Sequence, residues 1–532
     1  MTDSFPWLTL VGLVPLIGAV ALLLLPGRKE QLQKVVALAT SLVVLALTIA
    51  MCAAFDPGGD RFQFVQAYNW IPAFGVQYAV GADGIALVLI ALIAVLVPVV
   101  LLASWHDADP IPATAGSADQ QPVPARKRSV KTFFALVLVL ETMMIGVFAA
   151  TDVFLFYVFF EAMLIPMYFL IGSYGGPRRS YAAMKFLLYS LAGGLLMLAA
   201  VIGLYVVSAS QGESGGTFAF EELIGLEMST PVEIALFSGF FIAFAIKAPL
   251  FPFHTWLPDA GAEAPVGGAV LLVGILDKVG TFGFLRYCLP LFPEASRILG
   301  PYIIVLCVIG ILYGALLAMG QKDLKRLISY TSVAHFGFIG LGVFAFTSQG
   351  QTGAVLYMVN HGLSTGALFL IAGFLIARGR SRLIPDYSGI AAVAPILAGT
   401  FLVAGLSSLA LPGLSTFISE FLVLLGTFSR YPVAAVLAAL GVILAALYIL
   451  LAYQRTMQGP LRLPPGVEKL RDLRLREVVA VGPLLALMIF LGFYPKPLID
   501  VINPAVRETM QDAGRTDPAP TQGRGDTAAP AR

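Results

Sequence analysis

Charge is scarce in this chain. Only 12% of its 532 residues are Asp, Glu, Lys or Arg, whereas a soluble domain carries about a quarter. Hydrophobic residues make up 58% and the mean hydropathy is +0.87. So little charge cannot solvate a soluble surface, which excludes a soluble enzyme, a nucleic-acid reader and a disordered scaffold together. Cysteine is nearly absent as well. Cys52, Cys288 and Cys307 are scattered, and their odd number gives no disulfide framework. With four histidines beside them, they form no ligand cluster for haem, iron–sulfur or zinc, so no cofactor or metal is expected in this chain. No Gly-x-Gly-x-x-Gly stretch follows a strand pattern, so a nucleotide site is not expected either.

What the chain has instead is long apolar runs. A hydrocarbon core of ~30 Å takes roughly 20 apolar residues per helix. Such runs recur about fourteen times, at roughly 6–26, 34–55, 84–104, 131–149, 153–172, 181–207, 231–256, 264–288, 300–319, 326–346, 352–377, 388–429, 432–454 and 477–495. They are continuous rather than alternating, which excludes a β-barrel. The first run lacks the basic start of a secretory signal and reads as a retained helix. Two runs carry their own breaks. The seventh is interrupted at Lys247-Ala248-Pro249-Leu250-Phe251-Pro252, and the twelfth, too long for one helix, at Leu411-Pro412-Gly413-Leu414-Ser415-Thr416.

Basic residues set the orientation, because short cytoplasmic loops are enriched in Lys and Arg. With fourteen crossings, the loops holding Arg28, Lys29 and Lys34, Arg126 to Lys131, Arg178 and Arg179, Lys322 to Arg326, Arg378 to Arg382, and Arg455 to Arg476 share one side. That side has 21 of the 33 basic residues, so it is expected to face the cytoplasm of a bacterial cell, with both termini opposite. The organisation read from this is an all-α polytopic membrane protein. Residues 1–130 give three helices and a polar loop, 131–288 a first five-helix repeat, 300–455 a second, 456–495 a loop and the last crossing, and 496–532 a polar, disordered tail. Five is odd, so the second repeat enters the membrane inverted. Each repeat has its fourth helix broken, an arrangement of transporters that places the ion path near the midplane.

Several charges remain inside the runs, at a cost of at least ~2.5 kcal/mol each unless they meet water or a partner. Glu161, Lys185, Lys247, Lys278 and Glu420 are spread over both halves. Interhelical ion pairs would explain one of them more readily than five. A lysine amine taken out of water gives up its proton more easily, and a carboxylate brought near restores it, so an alternating Glu and Lys series can hand protons along. His335 and His361 add groups that titrate near neutrality. His254, Glu141 and Asp277 rank second. Asp277 adjoins Lys278 but points about 100° away on a helix. Asp152 and Asp259 read as helix caps or turns, and His106 receives no role.

The run from Ala243 to Ala260, AFAIKAPLFPFHTWLPDA, then resembles the signature of the antiporter-like subunits of respiratory complex I, and Gly274 to Lys278 and Asp323 to Ser332 continue it in order. The resemblance extends from about the third crossing to the fourteenth. It implies a coupled pair at Glu161 and Lys247, relay lysines at Lys185 and Lys278, axial histidines at His335 and His361, and an exit group at Glu420. A glutamate there fits the M-type branch, where the L-type and N-type paralogues carry lysine, and no long lateral helix after the last crossing is implied. Asp277 departs from the pattern, which has an apolar residue, as does the longer polar loop from about His106 to Lys131. The resemblance further implies that NADH, FMN, iron–sulfur clusters and quinone belong to partner subunits, and that the partners are other membrane subunits of that complex, the L-type and N-type paralogues above all. Multisubunit sodium/proton antiporters and energy-converting hydrogenases share the fold and most motifs and stand as the alternative.

Glu420 yields the first test. Glu420→Gln keeps the shape but cannot ionise, and should block proton release. Glu420→Lys should retain part of it, since the paralogues are expected to use a lysine there. A pH-sensitive dye in sealed vesicles reads both, and equal, complete loss in two normally assembled variants would remove the exchangeable proton-carrying role.

Overall fold

The computed structural model describes residues 5–109, 129–212 and 215–519. Arg126, Lys127 and Arg128, most of the polar loop before the fourth crossing, and the last thirteen residues of the chain lie outside them. Among the described residues thirteen helices are long and apolar enough to cross a membrane. The first three run Trp7–Leu24, Glu30–Ala54 and Gly84–Ala103, and the fourth Val130–Ala149. The fifth, Val153–Tyr174, is nicked at Met163, and the sixth spans Arg179–Gln211. Pro166 accounts for the nick, because its ring meets the carbonyl four residues back, at Ala162. Aspartate or hydroxyl side chains cap several starts: Asp83, Ser129, Asp152, Asp323 and Thr347 each accept a first-turn N–H.

Both expected breaks are present. The seventh crossing, Thr230–Lys247, ends before Pro249, which has no N–H to donate and whose ring would strike the Ala245 carbonyl if the helix continued; that carbonyl accepts from Leu250 N–H at 2.9 Å instead. The chain then runs irregularly until a short helix, Leu257–Glu263. Trp256 supports the opening by donating its indole N–H to the Ile246 carbonyl at 2.9 Å. The twelfth crossing is two half-helices, Pro395–Ser408 and Ser415–Phe428. Between them Ala410 and Gly413 adopt φ of 60° and 93°, a reversal that follows from Pro412 facing the Ser408 carbonyl.

The remaining crossings are the eighth, Val266–Leu291, the ninth, Pro293–Met319, the tenth, Leu324–Phe344, and the eleventh, Ser348–Gly379. The thirteenth, Pro432–Met457, and fourteenth, Leu475–Phe493, complete them. The eighth, tenth and eleventh are buried almost throughout, whereas the first, second and thirteenth turn most of their surface outward. The eighth also widens into π-helical turns at Leu272–Leu276 and Phe284–Cys288, a geometry that is common at functional sites.

Two features depart from the sequence expectation. A β-hairpin, β1 (Gln63–Ile71) and β2 (Val76–Ala82), pairs antiparallel between the second and third crossings, with Tyr68 opposite Tyr78. The disordered tail expected from residue 496 is, over Lys496–Asp512, an amphipathic helix. Ile502, Ala505, Val506, Thr509 and Met510 form its buried stripe, and periodic burial of this kind stabilises a helix whatever its mean polarity. Arg61 binds it to the hairpin side through Asp512 at 2.7 Å and Glu508 at 3.5 Å.

This last helix lies so close to the third crossing that a Cβ on Gly84 would collide with the Val501 carbonyl oxygen. Backbone cannot move aside as a side chain can. Gly84→Ala should therefore cost about 1–3 kcal/mol and expose the chain beyond residue 496 to protease. Thermal unfolding in detergent and limited proteolysis read by mass spectrometry check this, and an unchanged cleavage pattern would contradict the contact.

Candidate functional site

Several of the polar side chains predicted within the crossings form a succession through the interior of the bundle. Glu161 stands on the fifth crossing two residues before its nick, against the sixth: a Cβ on Gly194 would run into its carboxylate. Lys247 is the final residue of the seventh crossing. Its Nζ sits 4.5 Å from the centre of the Phe160 ring and has no hydrogen-bond partner. The Glu161 charge acts on it without an ion pair. Asp277 and Lys278 follow on the eighth crossing, both fully buried. Lys278 Nζ lies 2.6 Å from His361 Nδ1, donates to the Val273 carbonyl, and stands 5.2 Å from the Phe336 ring centre.

From His361 the trail continues. Its Nε2 is 3.2 Å from Ser332 Oγ, and its ring is 5.2 Å from that of His335, nearly perpendicular. His335 packs 5.7 Å from Tyr357, with the Ser408 backbone beside its ring. Glu420 is buried on the second half of the twelfth crossing, and its charge acts on Tyr357 and Tyr448. Asn360 ties the eleventh crossing to that half-helix by donating to the Ser415 carbonyl at 2.8 Å. A succession of ionisable groups thus runs from the fifth crossing to the twelfth, passing both breaks. Most are partnerless or bonded to one another rather than locked into ion pairs.

Other candidates stand elsewhere. Glu141 is buried on the fourth crossing, with neither oxygen hydrogen-bonded and burial alone acting on it. His254 lies in the irregular segment, its ring between Phe251 and Tyr313. Lys185 is not on the trail. It forms a 2.7 Å ion pair with Asp259, which also binds Arg326 of the tenth crossing. Among the described residues no group of three or more His, Cys, Asp or Glu gathers to hold a metal ion.

Asp259 and Glu263 are the residues that sequence reasoning passed over. Asp259 read as a cap, yet it joins the sixth, seventh and tenth crossings. Glu263, buried, accepts from the Arg178 backbone N–H at 3.0 Å and pairs with Arg382 at 2.9 Å, and Arg382 reaches Asp323 at 2.7 Å. The signal that could have found them is two acidic residues at i, i+4, directly after the broken helix and opposite loops rich in arginine. Asp152 does cap the fifth crossing, accepting from Leu155 N–H at 2.8 Å, and also holds the hairpin through Gln77 N–H at 3.0 Å.

Burial pushes the Asp259 carboxyl up, but the hydrogen bonds and charges of Lys185 and Arg326 outweigh it and the net shift is down. A depressed carboxyl stabilises the fold above its unfolded value, 3.8, and loses that contribution as pH falls through the lower folded value. The link should thus be constant across neutral pH and fail only in strong acid. Asp259→Asn removes it at every pH, and Lys185 should then react several-fold faster with an amine-acylating reagent. Labelling read by mass spectrometry checks this, and unchanged reactivity would show that Asp259 does not hold the lysine.

Comparison with known proteins adds relatives to this geometry. Residues 150–447 match the family described as NADH:quinone oxidoreductase/Mrp antiporter, transmembrane. The chain is 53% identical to the NADH-quinone oxidoreductase subunit M of Mycobacterium tuberculosis, over 98% of this chain and 96% of that one. Among solved structures it is similar to a chain of respiratory complex I from Thermus thermophilus with bound NADH, with TM-score 0.83 and 33% identity over 95% of this chain and 100% of that one. A chain of the Mrp complex from a Dietzia species shares the fold, with TM-score 0.80 at 20% identity, over 95% of this chain and 99% of that one.

Proposed function

This chain belongs to the NADH:quinone oxidoreductase/Mrp antiporter transmembrane family, and from that premise we propose that it is a proton-translocating, non-redox membrane subunit of a type I NADH–quinone oxidoreductase. The observation that carries the reading is the succession from half-buried Glu161 through buried Lys247, Lys278, His361 and His335 to Glu420. Carboxylates, amines and imidazoles follow one another there on six crossings. Burying them without ion pairs is costly, and intramembrane ionisable groups mark ion paths and proton relays.

The chemistry follows from the spacing. Glu161 influences Lys247 across a gap rather than through a bond. A charged Glu161 holds the proton on Lys247; a neutralised or displaced Glu161 releases it toward Lys278. The amine of Lys278 meets His361 directly at 2.6 Å, so a proton given up by one can be taken by the other. His335 and Glu420 continue the path toward release. The opened backbone after Lys247 is tolerated at this depth because it lines protein or a water-filled cavity, which is where a lysine that exchanges protons must stand. Lys185, held by Asp259, serves the electrostatics of the entry side rather than the transfer itself.

In this reading the NADH, flavin, iron–sulfur and quinone chemistry takes place in partner subunits, and this subunit contributes the translocase half of the reaction. Its neighbours are the other membrane subunits, the L-type and N-type paralogues among them, in a bacterial plasma membrane with both termini on the non-cytoplasmic side. The second reading, a subunit of a multisubunit cation/proton antiporter or an energy-converting hydrogenase, has the shared family in its favour. The 53% identity along nearly the whole chain to a quinone oxidoreductase subunit, against a likeness of fold to the Mrp chain, supports the first.

Vesicles carrying the whole complex test it. Glu161→Gln and Lys247→Met should abolish NADH-driven proton uptake while native gels show normal assembly. Lys247→Arg keeps the charge but cannot release a proton at working pH, so it should fail as well. Normal pumping by the arginine variant would show that a fixed positive charge suffices, and Lys247 would have to be dropped as a carrier.

A further inference from the structure

Asp277 neighbours Lys278 in sequence, yet its carboxylate faces a different helix. It is fully buried and neither oxygen has a hydrogen-bond partner. Helix geometry fixes its direction. Residues three apart share a face, and the face of Asp277 carries Gly280, with Gly283 beyond it on the side toward the seventh crossing. A Cβ on Gly280 would stand 2.6 Å from the Ala248 amide nitrogen and would also strike the Phe244 carbonyl, and one on Gly283 would stand 2.5 Å from the Phe244 ring. Those glycines let the eighth crossing close on the last turn of the seventh, where Lys247 ends the helix. The π-helical turn just before Asp277, closed by its N–H on the Leu272 carbonyl at 3.2 Å, sets this register. Lys278, about 100° further round, turns instead to the eleventh crossing and His361.

Asp277 therefore stands between two lysines on different helices. Its charge acts on both, and it forms an ion pair with neither. An apolar side chain would fill the same space without the cost of burying an unbonded carboxylate. We propose that Asp277 is a proton carrier linking Lys247 to Lys278, the step that joins the broken seventh helix to the central lysine. The proton leaves the Lys247 ammonium through a bridging water for the Asp277 carboxylate, leaving a neutral amine and a neutral acid. The acid then gives the proton to the neutral amine of Lys278, which becomes the ammonium, and the carboxylate is restored. No electrons move and no other reactant is consumed. This step rests on the relay reading above and adds a member to it.

The test uses the complete complex in sealed vesicles, with Asp277→Asn, Asp277→Leu and Asp277→Glu beside Lys247→Met. NADH-driven pumping should fall at least about a hundredfold in the asparagine and leucine variants, the low side of what a positioned proton carrier contributes, and should return with glutamate. The infrared difference spectrum of the complex during turnover should show a protonated-carboxyl band that Asp277→Asn removes and Asp277→Glu keeps, a signal that packing alone does not produce. Assembly is scored on native gels for every variant, and the leucine variant, suited to apolar surroundings, carries the comparison if the amide does not assemble. Wild-type pumping by Asp277→Leu with Lys247→Met inactive would overturn the carrier role and leave the relay standing. Loss in all three Asp277 variants, glutamate included, would mean packing and overturn it too. Normal pumping by both Asp277→Leu and Lys247→Met would bring down the relay reading itself.

Discussion

A charge buried in hydrocarbon has no water to answer it, and this molecule is arranged around that constraint. Every intramembrane ionisable group must find a partner, a polar neighbour or a cavity. Lys185 answers with a full ion pair to Asp259. Lys247 has only the Phe160 ring and the more distant charges of Glu161 and Asp277. That difference separates structure from transport. A charge fixed by a close partner anchors two helices, whereas a charge held loosely can change its protonation state as its surroundings change.

The same constraint governs the backbone. Ending a helix in mid-membrane frees carbonyls and amides, so each break carries its own repair. The Trp256 indole serves the Ile246 carbonyl after the seventh crossing, and the Asn360 amide reaches Ser415 at the twelfth. The breaks also lie next to the groups proposed to carry protons, since an opened helix is where a side chain can meet water without leaving the bundle. Around this centre the eighth, tenth and eleventh crossings are buried almost throughout, and the first, second and thirteenth form the outside of the bundle.

Much of this was legible in the sequence because hydrocarbon thickness imposes a length and proline imposes a break. The fourteen runs, the interruptions at Pro249 and Pro412, and the charges inside them could be read one helix at a time. What was not legible depends on partners distant in sequence. Asp259 looks like a cap until the sixth and tenth crossings bring Lys185 and Arg326 to it. The hairpin at Gln63–Ile71 and Val76–Ala82 escaped because a search for apolar runs says nothing about the segments between them, although Val65, Tyr68, Trp70 and Ile71 are strand-forming residues. The helix at Lys496–Asp512 was hidden by its average polarity; the spacing of Leu498, Ile502, Ala505, Val506 and Met510 was the better guide.

The π-helical turns of the eighth crossing carry a consequence for chain length. Such a turn amounts to one extra residue accommodated within an α-helix. Deleting a residue from Leu272–Leu276 would leave a more regular helix with the same ends in the membrane. It would also turn everything beyond the deletion by about 100° relative to Val266–Leu271. Lys278 would then lose either its alignment with His361 or the anchorage of the helix start, with no side chain altered. For this helix, the number of residues is as much a part of the proton path as their chemistry.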